Sequence, residues 1–190
     1  VTLLGKNQVT LESGEIIEAS RVIVATESAV TTELVGGFAE KAPEWRAVTN
    51  LYFDANESPL SEAIIALNGS LEGLVNNVAV MSDVSVSYAP AGRSLVSVSV
   101  LGENDGEDLP ERVKAELSGW FGDEVKEWRH LRSDLIRHAL PEQRKTEPVG
   151  VHKIDGFLIC GDHAVSASIE GAMSSGVAAA KACLAKYEDR

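Results

Sequence analysis

The residues able to do chemistry concentrate near the end of the chain, in Gly161-Asp162-His163-Ala164-Val165-Ser166-Ala167-Ser168-Ile169-Glu170-Gly171-Ala172-Met173-Ser174-Ser175-Gly176. The run reads as a strand end, a loop and a helix start. In an open α/β sheet, ligands sit outside the carboxyl ends of the strands. A helix N-terminus placed there presents unpaired N–H groups and about half a positive charge to an anionic or electron-rich group. Gly171 and Ala172, in the first turn, would let a flat ligand reach the backbone where a bulky side chain would block it. Asp162, at the strand tip, is suited to accepting hydrogen bonds from sugar-like hydroxyls. Further along, Ala172, Gly176, Ala179 or Ala180, and Cys183 put small side chains on one helix face, which would allow close approach of another element. The plainer reading of that face is a good helix former packed on a sheet.

Other chemistries fit less well. Asp162-His163 resembles a metal-ligand pair at a strand tip, but such a site needs further converging carboxylates and histidines. His130, His138 and His152 stand apart, without ligand spacing, so no metal is expected. His163 reads as a loop residue near a ligand or as plain surface. Ser166, Ser168, Ser174 and Ser175 lack a G-x-S-x-G elbow, and helix capping accounts for Ser168. Trp45, Trp120 and Trp128 read as packing residues, with an aromatic wall of a substrate pocket as the alternative, and Glu103 to Asp108 as a solvated acidic loop. No catalytic acid, base or nucleophile can be named.

The elements that must position the run can be read from turn residues and periodicity. Val9-Thr10-Leu11 and Ile16-Ile17 flank the turn cluster Glu12 to Glu15. Arg21 to Thr26 is a short continuous apolar run, as in a strand covered on both faces. Ser28 to Val35 predicts a short helix stopped by Gly36-Gly37. The middle changes character. Leu51 to Phe53, Ala63 to Leu67, Leu74 to Val80 and Ser94 to Leu101 read as strands of an antiparallel sheet, and Val96, Val98 and Val100 alternate with serines. Asp108 would cap a helix with Pro110 in its first turn and Glu111 at the capping-box position. Val113, Leu117, Trp120 and Phe121 would line its inner side. Val125 to Leu140 fits either a helix or two strands. After a polar break, Gly156 to Cys160 is again a short buried strand, and a helix follows from about Ile169 to Tyr187.

Composition excludes several classes. The chain has 17 Lys+Arg against 29 Asp+Glu, a net charge of -12, which opposes the basic field that nucleic-acid binders use. It equally disfavours an electrostatic grip on anionic membranes. No apolar stretch approaches the roughly 18 residues needed to span a bilayer, and no leader precedes the first strand. Cys160 and Cys183 make neither a disulfide framework nor a zinc site, and read as buried packers in a reducing, cytoplasmic compartment. The chain opens on Val1 rather than Met, which points to a fragment or a processed product.

Gly161-Asp162, followed by Ser168-Ile169-Glu170-Gly171-Ala172 and Ser175-Gly176, resembles the C-terminal FAD-binding motif of flavin-containing amine oxidases, a superfamily that includes phytoene-desaturase-like and protoporphyrinogen-oxidase-like enzymes. Arg21 to Thr26 resembles the strand that precedes that superfamily's substrate-binding insert, and Ala139-Leu140-Pro141 the return to the FAD domain. The resemblance implies an α/β fold with an α+β insert. Residues 1–36 and 150–190 would be parts of an FAD-binding domain with parallel strands, and residues 37–149 a mainly antiparallel substrate-binding domain. It implies FAD as cofactor, a small-molecule substrate, and oxidation of a C–N or C–C bond by hydride transfer to flavin N5. Carried over by residue, Gly161, Asp162, Glu170, Gly171, Ala172 and Met173 would contact the cofactor. Asp162 would reach the ribityl chain or pyrophosphate, and the backbone of Gly171 to Met173 the pyrimidine edge of the ring. The superfamily's N-terminal G-x-G-x-x-G is missing from this sequence. The chain would then be a C-terminal half that needs an N-terminal partner segment and binds FAD weakly or not at all alone. A non-catalytic binding or interaction module on the same fold is the alternative.

Overall fold

Turn residues and alternating apolar positions divide the chain into short elements. The computed structural model describes residues 1–5, 7–35, 44–70, 72–143, 152–154 and 156–185. In chain order these carry β1 (Leu3–Gly5), β2 (Gln8–Thr10), β3 (Ile16–Glu18), β4 (Ile23–Val24), α1 (Ser28–Val35), β5 (Trp45–Ala55), β6 (Ile65–Leu67), β7 (Val75–Val80), the one-turn α2 (Met81–Val84), β8 (Ser94–Leu101), α3 (Leu109–Phe121), β9 (Arg129–Pro141), β10 (His152–Ile154), β11 (Phe157–Ile159) and α4 (Ile169–Leu184). They form two compact units, Val1–Glu44 with Leu140–Arg190, and Trp45–Ala139. This is an α/β fold with mixed parallel and antiparallel sheets.

In the discontinuous unit, β1, β2 and β3 form an antiparallel meander. A second sheet runs β10-β11-β4. Its central pairing is parallel, with Leu158 opposite Ile23 and Ile159 opposite Val24, so the two buried runs read from the sequence lie side by side. Val22, Val24, Phe157 and Ile159 fill one side of this sheet with Val9, Ala19 and Val35. Leu158 and Cys160 fill the other side, against Ala179, Ala182 and Cys183 of α4. Both faces of β11 are thus covered, as a parallel neighbour requires, while Ile23 of β4 stays 41% exposed.

The continuous unit is a five-stranded sheet in the order β6-β7-β8-β5-β9. Strands β6, β7, β8 and β5 pair antiparallel in that order. Alternation decides which face is buried. Val96, Val98 and Val100 of β8 and Leu51 and Phe53 of β5 pack with Val113 and Leu117 of α3. Burying each such side chain contributes on the order of 1.5–3 kcal/mol. The opposite face is polar. Asn50 accepts hydrogen bonds from Ser97 and Ser99 through its side-chain oxygen, at 3.3 and 3.0 Å. Trp128 lies in the core, Trp120 packs against it beside Phe121, and Trp45 meets His138 at a tilt of 40° with ring centroids 4.9 Å apart.

Three local expectations change. Val125 to Leu140 is neither a helix nor two strands. It is a 3-10 turn over Asp123–Glu127 followed by the single strand β9, because pairing with β5 outweighs the helical spacing of its apolar residues. Asp108 does not cap α3 through its side chain, since its backbone is already helical. Glu111 pairs with Lys114 at 3.0 Å instead of closing a capping box. The strand expected over Ala63 to Leu67 is confined to Ile65–Leu67. The Gly36-Gly37 stop, the boundaries near 37 and 149, and Tyr187 lie outside the described residues. Among the described residues no helix is long and apolar enough to cross a membrane.

Two charged contacts tie the sheet together. The Glu116 carboxylate on α3 accepts the Leu74 and Val75 N–H groups at 2.6 and 3.2 Å, capping the start of β7. Gly73, at φ 95°, leaves room for that carboxylate where a Cβ would collide with it. Glu116→Ala is expected to cost about 1.5–3 kcal/mol, the value of a charged hydrogen bond, measurable by urea denaturation. Asp54 on β5 accepts Arg93 Nε at 2.7 Å and Arg129 Nη2 at 2.9 Å. The Arg93 hydrogen bond, seconded by Arg129, holds its carboxyl below the ordinary value. A depressed carboxyl pKa stabilises the fold above the unfolded value of about 3.9, and that stability is lost as pH falls through the folded value. Asp54→Asn should therefore lower the urea midpoint at neutral pH, by an amount that shrinks as the pH falls through the folded value.

Candidate functional site

The site begins at the end of β11, which β4 holds in place. Leu158 N–H donates to the Val22 carbonyl at 3.1 Å and Cys160 N–H to the Val24 carbonyl at 3.0 Å. Burial pushes the Cys160 thiol up, so it remains a protonated packing group rather than a nucleophile. Past Cys160 the chain leaves the sheet at Gly161 and turns through a 3-10 segment, Asp162–Ala164.

Ser175 locks this strand tip to α4. Its hydroxyl accepts the Gly161 N–H at 2.9 Å and lies 3.0 Å from the Gly161 carbonyl and 2.9 Å from that of Ala172, either of which can take its proton. Gln143 holds the intervening loop with both ends of its amide. It donates to the Val165 carbonyl at 2.8 Å and accepts the Ala167 N–H at 2.7 Å. Ser168 then caps α4 as the sequence predicts, with its hydroxyl accepting the Gly171 N–H at 3.0 Å. A Cβ on Gly171 would run into the carbonyl of Ser166, so this glycine makes room for the chain's own loop.

The six candidate residues fall in two groups. Gly161 and Asp162 lie at the strand tip, where Asp162 accepts the His163 N–H at 2.8 Å and stays partly open to solvent. Glu170, Gly171, Ala172 and Met173 form the first turn of α4, with Glu170 and Met173 exposed, Ala172 half-buried and Gly171 buried. Glu170 accepts the Ser174 hydroxyl at 3.1 Å. The N–H groups of Gly171 and Ala172 are taken by the hydroxyl and carbonyl of Ser168. The outward orphan donors of the helix start are thus those of Ile169 and Glu170. His163 is neither a loop surface residue nor open to a ligand. Its side chain is 4% exposed and lies where a Gly161 Cβ would stand. The packed stripe of α4 keeps Ala179 and Cys183 of the expected one but is one step round in the first turns. Gly171, Ser175 and Ala179 are buried, whereas Ala172, Gly176 and Cys183 are half-buried and Ala180 is exposed. Among the described residues no group of three His, Cys, Asp or Glu side chains is placed to hold a metal ion.

A strand tip, a clamped loop and a capped helix start are the arrangement on which the sequence resemblance rests. Residues 4–184 match the family model for flavin containing amine oxidoreductase. The chain belongs to this family. Three solved structures share the fold. An oxidoreductase from Methanosarcina mazei aligns at 13% identity and TM-score 0.59, over 94% of this chain and 48% of that one. A protein from Pyrococcus furiosus aligns at 16% and 0.62, over 97% and 44%. A reduced UDP-galactopyranose mutase aligns at 12% and 0.57, over 72% and 33%. The chain therefore spans less than half the length of these structures. No curated protein matches it.

Family membership implies a flavin-binding fold, and the residues present fit one edge of such a group. The orphan donors at Ile169 and Glu170 suit an electron-rich ring edge, and the partly open Asp162 carboxylate suits hydroxyls. Nothing in the sequence has the G-x-G-x-x-G pattern of a pyrophosphate cradle. The fit is partial.

Ser175→Ala should cost about 1–3 kcal/mol, because it leaves the half-buried Gly161 N–H without its acceptor. Hydrogen exchange should speed up at the Gly161 amide before it does in β5 or β8. Gly171→Ala should cost a similar amount, on the order of 1–3 kcal/mol for an overpacked site, and should speed exchange at Ala167.

Proposed function

We propose that this chain supplies the C-terminal part of an FAD-dependent oxidoreductase. In this reading residues 1–36 and 150–190 belong to an FAD-binding domain, and residues 37–149 form the domain that receives a small-molecule substrate. The observation that carries the reading is the parallel pairing of β4 with β11, which aims Gly161 and the Ser168-capped start of α4 at the carboxyl end of the sheet. Ligands of open α/β sheets bind at that end.

The chain's own residues bind and orient. Asp162 would hold ribityl hydroxyls or stand near the pyrophosphate. The first turn of α4, Glu170 to Met173 with the Ile169 N–H, would set its positive end against the pyrimidine edge of the ring and favour the anionic reduced form. Gly161, tied to Ser175, fixes the spacing between these two groups. The bound flavin would supply the redox chemistry, accepting at N5 the hydride of a C–H bond as the adjoining C–N or C–C bond is oxidised.

The rest of the cofactor site would come from a further segment of a longer protein. A stripe on α4 supports this. Ile169, Met173 and Val177, one turn apart, are 82%, 63% and 54% exposed on the side away from the packed Gly171, Ser175 and Ala179. An apolar stripe of this kind is expected to be covered.

Val177→Glu tests the assignment. It should leave the melting temperature of this chain within a few degrees, because the residue is exposed here. In the longer protein it would bury an unpaired charge and should lower the flavin retained per protein by roughly ten-fold or more. Undiminished flavin content would remove this face of α4 from the cofactor site.

A further inference from the structure

The continuous unit carries a cavity of about 470 Å³ at the end of its sheet remote from Trp45 and Ala139, where the chain enters and leaves that unit. Asp54 marks the spot, nine residues along β5 from Trp45 and so about 30 Å away at ~3.3 Å per residue. The volume lies within the usual range for small-molecule sites, roughly 300–1,000 Å³. Its lining combines apolar Tyr88, Pro90, Leu95 and Leu131 with the charged Asp54, Arg93 and Arg129.

The charged part of the lining is built rather than scattered. The Asp54 side chain is 15% exposed and uses one oxygen for each arginine, Oδ1 for Arg93 Nε at 2.7 Å and Oδ2 for Arg129 Nη2 at 2.9 Å. Arg93 also donates through Nη1 to the side-chain oxygen of Asn56. Arg93 is thereby committed. Arg129, which lines the cavity, is held to Asp54 through one of its five donor N–H groups, and its side chain is 73% exposed. Two guanidiniums against one carboxylate leave a net charge of +1, in a chain whose net charge is -12.

We infer that this cavity binds an amphipathic monocarboxylate, with the carboxylate on the free edge of Arg129 and the apolar tail between Tyr88, Pro90, Leu95 and Leu131. The planar fork of arginine matches a carboxylate. A single negative charge neutralises the cluster, whereas a phosphate dianion would leave an excess negative charge beside Asp54 in an acidic protein. An ammonium head would meet Arg129 with like charge. All of these residues belong to the continuous unit, so the site stands independently of the flavin reading.

The test is titration of the ¹⁵N-labelled chain with octanoate at low salt, with octylammonium and 1-octanol as probes of the same length. Octanoate should saturate and shift amides in residues 88–95 and 129–131, while octylammonium should not bind. Arg129→Gln should weaken octanoate by roughly ten-fold or more, as expected for loss of a charge-assisted hydrogen bond. Leu131→Glu, at a half-exposed position, should weaken it comparably by setting a like charge over the site. Arg93 still holds Asp54 in Arg129→Gln, so that variant should melt near the parent. If it unfolds, Leu131→Glu decides alone. Equal binding of octylammonium or octanol, shifts confined to other regions, no saturation, or variants that bind as the parent does would each overturn the inference.

Discussion

The architecture depends on the parallel pairing of β4 with β11. Parallel neighbours need a crossover, which is ordinarily a single helix of a dozen or more residues. Here the excursion from β4 to β11 includes the whole Trp45–Ala139 unit, with its own five-stranded sheet and core. The pairing itself is short, and its backbone hydrogen bonds include Leu158 to Val22 and Cys160 to Val24. Its strength lies in burial, because alternate residues of β11 fill two different cores. Remove that pairing and Gly161 no longer has a fixed place from which to meet Ser175.

From this constraint the site geometry follows without any ligand. Gln143 and Ser168 hold the loop between strand tip and helix, and Ser166 occupies the space that Gly171 leaves open. Preorganisation of this kind is what a helix-start site needs, since donors already fixed cost no reordering on binding. It also revises the meaning of the glycine. In the sequence, Gly171 suggests room for a ligand, and in the structure that room is used by the chain itself.

Much of this was legible in the sequence, for physical reasons. Continuous apolar runs mark β4 and β11, serine alternation marks β8, and Ser168 sits where an N-cap must. Other features depend on contacts that no local pattern records. The apolar residues between Arg129 and Ala139 recur at spacings compatible with a helix, and only pairing with β5 makes that stretch a strand. Gln143 lies in a polar break, where a clamping amide looks like any other loop residue. Asp54, Arg93 and Arg129 come from three strand ends or turns 39 and 75 residues apart, and adjacency in the sheet alone brings them together. His163 looks like loop surface until the absence of a Cβ on Gly161 gives its ring a buried seat.

The central claim is that β11 and α4 form a preorganised edge of a flavin site that another segment completes. The most direct measurement is the visible absorbance of the protein expressed from its whole reading frame and purified without added cofactor, beside that of this 190-residue chain. The account predicts flavin bands, released on denaturation, from the former and a colourless chain from the latter. Absence of flavin bands from the whole protein even after soaking with FAD would contradict the account, and so would full retention of FAD by this chain alone.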